Sequence, residues 1–259
     1  MEKSSPLKTI RRRVRPSPLN FGVILMKMIW RFCLAIFLIL PVASYAIEPF
    51  NCRNGAFPTY TELGLGEIAA KEGEQVHARE DGEGCPEQEK CLRKGYLVKG
   101  DKVVTAHPAE GWICIYYFGN NDDYTGWVPQ ANVKALPFST SPNLKEWVGR
   151  WEDIVGVNKV IIQPASAGKL KVSGKAFWHG GQNGDGEQIV HYGQVNGLAT
   201  PVANHLTIKE GDDEFSCVVN FQLLGSYLIA TDNGNCGGMN VRFDDVYRRK
   251  PTSHSTRRH

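Results

Sequence analysis

After residue 46 the chain is patterned in short apolar runs. These are rich in Val, Ile, Tyr and Phe and are separated by Gly, Asn, Asp and Pro. No long window repeats apolar side chains at i, i+3 and i+4 between helix caps, so the period is that of strands. The runs fall into two groups. The first predicts strands over Gln75–Arg79, Tyr96–Val98, Lys102–Ala106, Trp112–Phe118 and Gly126–Pro129. The second predicts eight, over Glu146–Ile154, Lys159–Gln163, Leu170–Phe177, Gln188–Val195, Ala203–Ile208, Phe215–Leu224, Tyr227–Thr231 and Met239–Arg248. Between them lies Leu136-Pro137-Phe138-Ser139-Thr140-Ser141-Pro142-Asn143, a Pro/Ser stretch that reads as a linker over 137–143. The fold class expected is all-β: a small first barrel over 62–136 and an antiparallel barrel of about eight strands over 144–249. A short segment, 47–61, precedes the first barrel, and a basic polar tail, 250–259, follows the second.

The first 46 residues differ from the rest. They hold eight basic side chains and one acid, whereas residues 47–259 hold 22 basic and 26 acidic. Met26-Lys27-Met28-Ile29-Trp30-Arg31 gives a positive start, Phe32–Leu40 an apolar core, and Ser44 and Ala46 the small residues of a signal-peptidase site. Residues 1–46 therefore read as an export signal with an extended start, leaving a mature N-terminus near Ile47. The apolar core is about ten residues, too short to span a bilayer as a helix. The product expected is mildly acidic and periplasmic or secreted, with no stable membrane span. Its charge argues against a nucleic-acid partner, which would need a basic surface.

Six cysteines remain after the signal: Cys52, Cys85, Cys91, Cys114, Cys217 and Cys236. An even count behind an export signal implies disulfides, and the absence of paired C-x2-C elements argues against zinc. Cys217 and Cys236 flank two apolar strands that turn near Gly225-Ser226, so they are placed to face each other across a hairpin. Cys85 and Cys91 bracket a polar loop, and Cys52 with Cys114 is what remains among fifteen formal pairings.

Tyr96-Leu97-Val98-Lys99-Gly100-Asp101-Lys102-Val103-Val104, Gly111-Trp112-Ile113-Cys114-Ile115 and Thr125-Gly126-Trp127-Val128-Pro129 resemble the bacterial SH3-like family, with a Cys85–Cys91 insertion as a departure. The resemblance implies a small barrel that binds cell-wall peptide or peptidoglycan. Trp127 is expected in the core. Tyr116, Tyr117 and Tyr124, beside the polar loop Gly119–Asp123, are the groove candidates, since an aromatic face with a polar rim suits a glycan or peptide.

Gly149-Arg150-Trp151 opens the second group and Val246-Tyr247-Arg248-Arg249 closes it. This is similar to the calycin pattern, which implies that Arg248 covers the Trp151 indole at the closed end of a barrel. Asp232–Val241, with Cys217 and Phe243–Arg248, resembles the C-terminal barrel of exported lysozyme-inhibitor-like proteins of proteobacteria. The Ser-Gly loop by which membrane-bound C-type lysozyme inhibitors enter the lysozyme cleft is missing from this sequence.

No nucleophile elbow, His-Glu-x-x-His or phosphate loop occurs, so no catalytic set or cofactor is expected. His179, His191 and His205 read as surface residues rather than metal ligands, and Asp232-Asn233-Gly234-Asn235 as a tight turn rather than a Ca²⁺ loop. Trp178 and His179, leading into the polar turn Gln182–Gly186, are ligand candidates at a barrel mouth. The expectation is an envelope-binding protein without chemistry of its own. Its first module would hold peptidoglycan or an envelope protein, and its barrel a second partner such as a lysozyme-type enzyme. The alternative is a carrier enclosing a small apolar ligand.

Overall fold

In the computed structural model the described residues are 52, 57–119 and 123–251. The expected export signal, most of the C-terminal tail and the loop residues 120–122 lie outside them. The protein is all-β, built from two antiparallel sheets. The first contains β1 (Gly64–Ile68), β2 (Lys102–Ala109), β3 (Trp112–Phe118), β4 (Asp123–Pro129) and β5 (Val133–Leu136), in the order β4-β3-β2-β1-β5. The second contains β6 (Gly149–Glu152), β7 (Lys159–Pro164), β8 (Leu170–Gln182), β9 (Gln188–Ala199), β10 (His205–Glu210), β11 (Cys217–Leu224), β12 (Tyr227–Asp232) and β13 (Asp245–Arg249). Its order, β10-β11-β12-β13-β6-β7-β8-β9, curls into a nearly closed barrel.

Several expected strands differ. Gln75–Arg79 and Tyr96–Val98 form only isolated bridges, Val76 to Leu97 and Arg79 to Leu92 and Trp127. β1, Gly-rich, and β5, only four residues long, carry no apolar alternation to announce them. At the start of the expected strand Glu146–Ile154, Leu144–Trp147 form one helical turn, α1. The cause is local: the Asn143 side chain accepts from Lys145 N at 3.0 Å while the Glu146 carboxylate accepts from Asn143 N at 2.8 Å, a reciprocal cap.

All three cysteine pairs form: Cys52–Cys114, Cys85–Cys91 and Cys217–Cys236. Such bonding suits an oxidising, exported compartment. Among the described residues no helix is long and apolar enough to cross a membrane.

Each strand's alternation decides which core it feeds. The barrel interior takes Trp151, Phe221, Phe243 and Tyr247, all fully buried, with Leu228 and Ala230 of β12. Tyr227 and Ile229, on the other face of β12, point out of the barrel into a core shared with Val104, Tyr116, Phe118 and Trp127 of the first sheet. Cys52 and Phe57, ahead of β1, enter this shared core, and Phe138 of the expected linker packs against it. A third core, around Ile68, Leu97, Val103 and Ile115, lies on the far side of the first sheet. The two sheets thus belong to one compact unit, joined by apolar packing on the outside of β11–β13.

The barrel seam falls between its terminal strands β9 and β10. At one end Glu210 of β10 accepts from Asn196 N of β9 at 3.1 Å. Just beyond it on β9 the segment around Cys236 fills the gap. Gln194 N donates to Cys236 O at 3.2 Å, Gly238 N donates to Tyr192 O at 3.2 Å, and Gly193 bridges Gly237. The disulfide from Cys236 to Cys217 of β11 ties this plug to the opposite side of the seam. That is the structural work of the distinctive Asp232–Val241 motif. Its first four residues form a turn, in which Asp232 Oδ1 accepts from Gly234 N at 2.6 Å.

Candidate functional site

The three tyrosines expected to share a groove do not share a face. Strand β3 alternates, so Tyr116 points into the core between the sheets and is 3% exposed, while Tyr117 points to the opposite side. Tyr116 is therefore a packing residue, in edge contact with Phe57 and Phe118. Tyr117 and Tyr124 are cross-strand partners, half-buried, with their hydroxyls engaged. Tyr117 donates to Asp101 at 3.4 Å. Tyr124 accepts from Ala78 N at 2.9 Å and donates to Gly95 O, with the Arg93 guanidinium 4.8 Å from its ring centre. These contacts fix the loops flanking the first sheet and leave little ring area open. Trp127 is fully buried, as expected for a core residue, and donates its indole N–H to Asp81 at 2.6 Å.

At the barrel end the arginine over Trp151 is Arg249, 4.6 Å from the ring centre. Arg248, expected there, instead lies 4.2 Å from the Phe118 ring centre and donates to Gly119 O at 3.3 Å, across the boundary between the sheets. Neighbouring residues of a strand face opposite ways, so a shift of one position exchanges the two roles. Trp178 is half-buried against the barrel core and packs against His191, with ring centres 5.2 Å apart and the rings tilted by 31°. His191 Nδ1 lies 2.6 Å from Met239 O, His179 is exposed, and His205 begins β10.

Carboxylates gather at the sheet boundary. Burial, with the nearby charges of Asp153, Asp123 and Asp244, pushes the Asp245 carboxyl up to about 7. Burial also raises Asp153, although it accepts from Val157 N at 2.8 Å and Asn158 N at 2.9 Å. A cleft of about 410 Å³ is lined by Glu152 and Asp153. Both acids are committed elsewhere, Asp153 to these amides and Glu152 to Arg150 and Lys250. Burial opposes ionisation of Glu152, but those two cations outweigh it and hold its carboxyl below the usual range.

The outer face of β6–β9 presents a further arrangement of binding groups. Arg150, Lys159, Ile161, Ser173, Lys175, Phe177, Gln194 and Asn196 line a groove of about 370 Å³ that runs across four strands, its floor the backbone at Gly174. Ile161 is 41% exposed and Phe177 37%. Tyr192, 69% exposed, stands directly opposite Phe177 in the β8–β9 register. Strand position is held here by Asn158, whose Oδ1 accepts from Phe177 N at 3.0 Å. Sequence reading missed this site. Its available signal was the odd-numbered face of β8, Lys171, Ser173, Lys175, Phe177 and His179, in which cations, a hydroxyl and aromatics replace the usual neutral polar face. No protein-family model, curated protein or solved structure matches the chain.

Proposed function

We propose that the chain is an exported cell-envelope binding protein, periplasmic or secreted, that works by contact rather than by chemistry, and that its binding face is the outside of β6–β9. The single observation behind this reading is the groove of about 370 Å³, in which exposed Ile161 and Phe177 lie among lysines and amide side chains, with exposed Tyr192 opposite Phe177 in the β8–β9 register. Exposed aromatics at register-fixed positions offer flat apolar contact at small entropic cost, and amides and ammonium groups hold polar rims. Peptidoglycan, with sugar faces and acidic peptides, has the matching chemistry. A basic protein partner would meet like charge on this face.

The carrier alternative has less support. A carrier needs enclosed apolar space, whereas the barrel interior is occupied by Trp151, Phe221, Phe243 and Tyr247. At Gly174 an added Cβ would already lie 2.9 Å from Val195 and 3.0 Å from Phe243.

The test is co-sedimentation of the whole mature chain with purified peptidoglycan. Tyr192→Ala and Phe177→Ala should each weaken binding by about 1–2 kcal/mol, as interface aromatics do, with the fold retained. Absence of sedimentation by the parent protein would refute the reading.

A further inference from the structure

Lys159 of β7 and Lys175 of β8 stand directly opposite each other in the sheet register. Like charges so placed, with Cβ atoms about 5 Å apart, destabilise a sheet. Among the described residues neither lysine has a carboxylate within ion-pair distance. The nearest acids in the register are spoken for. Glu152 faces Lys159 across β6–β7, but its oxygens are held by Arg150 and Lys250. Glu210, at the far edge, accepts from Asn196 N. Gln194 lies opposite Lys175 and Asn196 opposite Ser173, which places donors beside the ammonium groups. Beyond the lysines the same face continues into Phe177 and Tyr192. A solvated face has no need of a repelling pair at its centre, and a fold that keeps one holds a stability cost that a bound anion would relieve.

We infer that Lys159 and Lys175 form the anchoring point for a carboxylate of the ligand, and that the ligand is a carboxylate-bearing peptide of the wall polymer. The inference rests on the reading of β6–β9 as the binding face and adds its specificity: the carboxylate sits between two ammonium groups and the Gln194 and Ser173 side chains, while the adjoining chain lies over Ile161 and Phe177. Ammonium–carboxylate pairing with flanking hydrogen bonds is charge-assisted and sensitive to salt. The two lysines act as point charges, so either can shift to follow the anion.

The experiment compares binding of the whole mature chain to peptidoglycan and to the same material with its carboxyl groups converted to amides. Amidation should weaken binding by the parent protein at least tenfold. The double variant Lys159→Gln/Lys175→Gln should bind both preparations alike and weakly, with an unchanged or raised melting temperature because the repulsion is gone. A melting temperature lowered in step with binding would assign the lysines a structural role and overturn the inference. Equal binding of the parent to both preparations would overturn it as well while leaving the envelope reading intact. Binding to neither would remove both. A double variant that still discriminates between the preparations would place the carboxylate elsewhere and overturn the assignment.

Discussion

Gly193 and Gly237 meet backbone to backbone across the barrel seam. A Cβ on Gly193 would fall 2.1 Å from Cys236 O, and one on Gly237 would fall 2.6 Å from Gly193 Cα. Only two residues without side chains let the Cys236 segment bridge to β9. Gly193→Ala should therefore cost about 1–3 kcal/mol through a forced backbone shift, read by chemical denaturation. Gly181→Ala, with nothing within 4 Å of its added carbon, is the control and should leave stability within about 0.5 kcal/mol. Opening the Cys217–Cys236 loop by Cys→Ser at both positions should cost about 3 kcal/mol in the chain-entropy account. An unaffected Gly193→Ala would mean that the seam is not closed by this contact.

Arg249 and Arg248 should separate cleanly. Arg249 stacks on Trp151 and donates to Glu146 O of α1, so Arg249→Lys should lower stability by about 0.5–2 kcal/mol and change the near-ultraviolet circular dichroism of the indole. Arg248→Lys should act at Phe118 and leave the Trp151 signal alone. The reverse pattern would restore the arginine expected from sequence.

Unfolding should be a single transition. The core containing Trp127 also contains Leu224, Tyr227, Ile229 and Val246 of the barrel, so neither sheet can lose it alone. Trp127→Ala should cost about 3–5 kcal/mol and shift barrel and first-sheet signals together. Two resolved transitions, only one of them moved, would contradict the shared core. For the same reason a separated first sheet or barrel would expose Tyr116 and Phe118 or Tyr227 and Ile229 and is no substitute for the whole chain.

Stability should fall as pH rises through neutrality. Asp245 titrates near 7 in the folded protein against an ordinary value of 3.8, so between those values the folded state keeps a proton that the unfolded chain has lost. Burial raises Asp153 and Asp232 in the same direction, whereas Glu152, held low by its cations, withdraws stability only on acidification. Asp245→Asn should therefore stabilise the protein at pH 8, by at most about 4 kcal/mol, with the gain vanishing toward pH 4. Thermal melts of both forms at pH 5 and pH 8 give the answer, and a parent protein more stable at pH 8 would refute it.

What the sequence made legible follows from how local each signal is. The hairpin of β11 and β12 could be read because its turn lies midway between Cys217 and Cys236, and the Trp127 strand because a Gly-Trp run sits among apolar neighbours. β12 reads as an unbroken apolar run because both of its faces are covered, one by the barrel core and one by the first sheet. The same coverage hid Tyr116: in Tyr116-Tyr117-Phe118 alternation alone cannot say which ring faces a partner sheet. Arg248 and Arg249 were confounded by the same two-residue period. The Lys159–Lys175 pair depends on the register between β7 and β8, which the spacing of residues along either strand does not contain.

The most direct test of the binding face is lysine acetylation of the folded chain, mapped by mass spectrometry with and without soluble peptidoglycan fragments. The account requires Lys159 and Lys175 to become protected when fragments are present, while Lys94 and Lys99, exposed on loops around the first sheet, keep reacting at their free rate. Protection of Lys94 and Lys99 with Lys159 and Lys175 still reactive would contradict it and return the binding face to the first sheet.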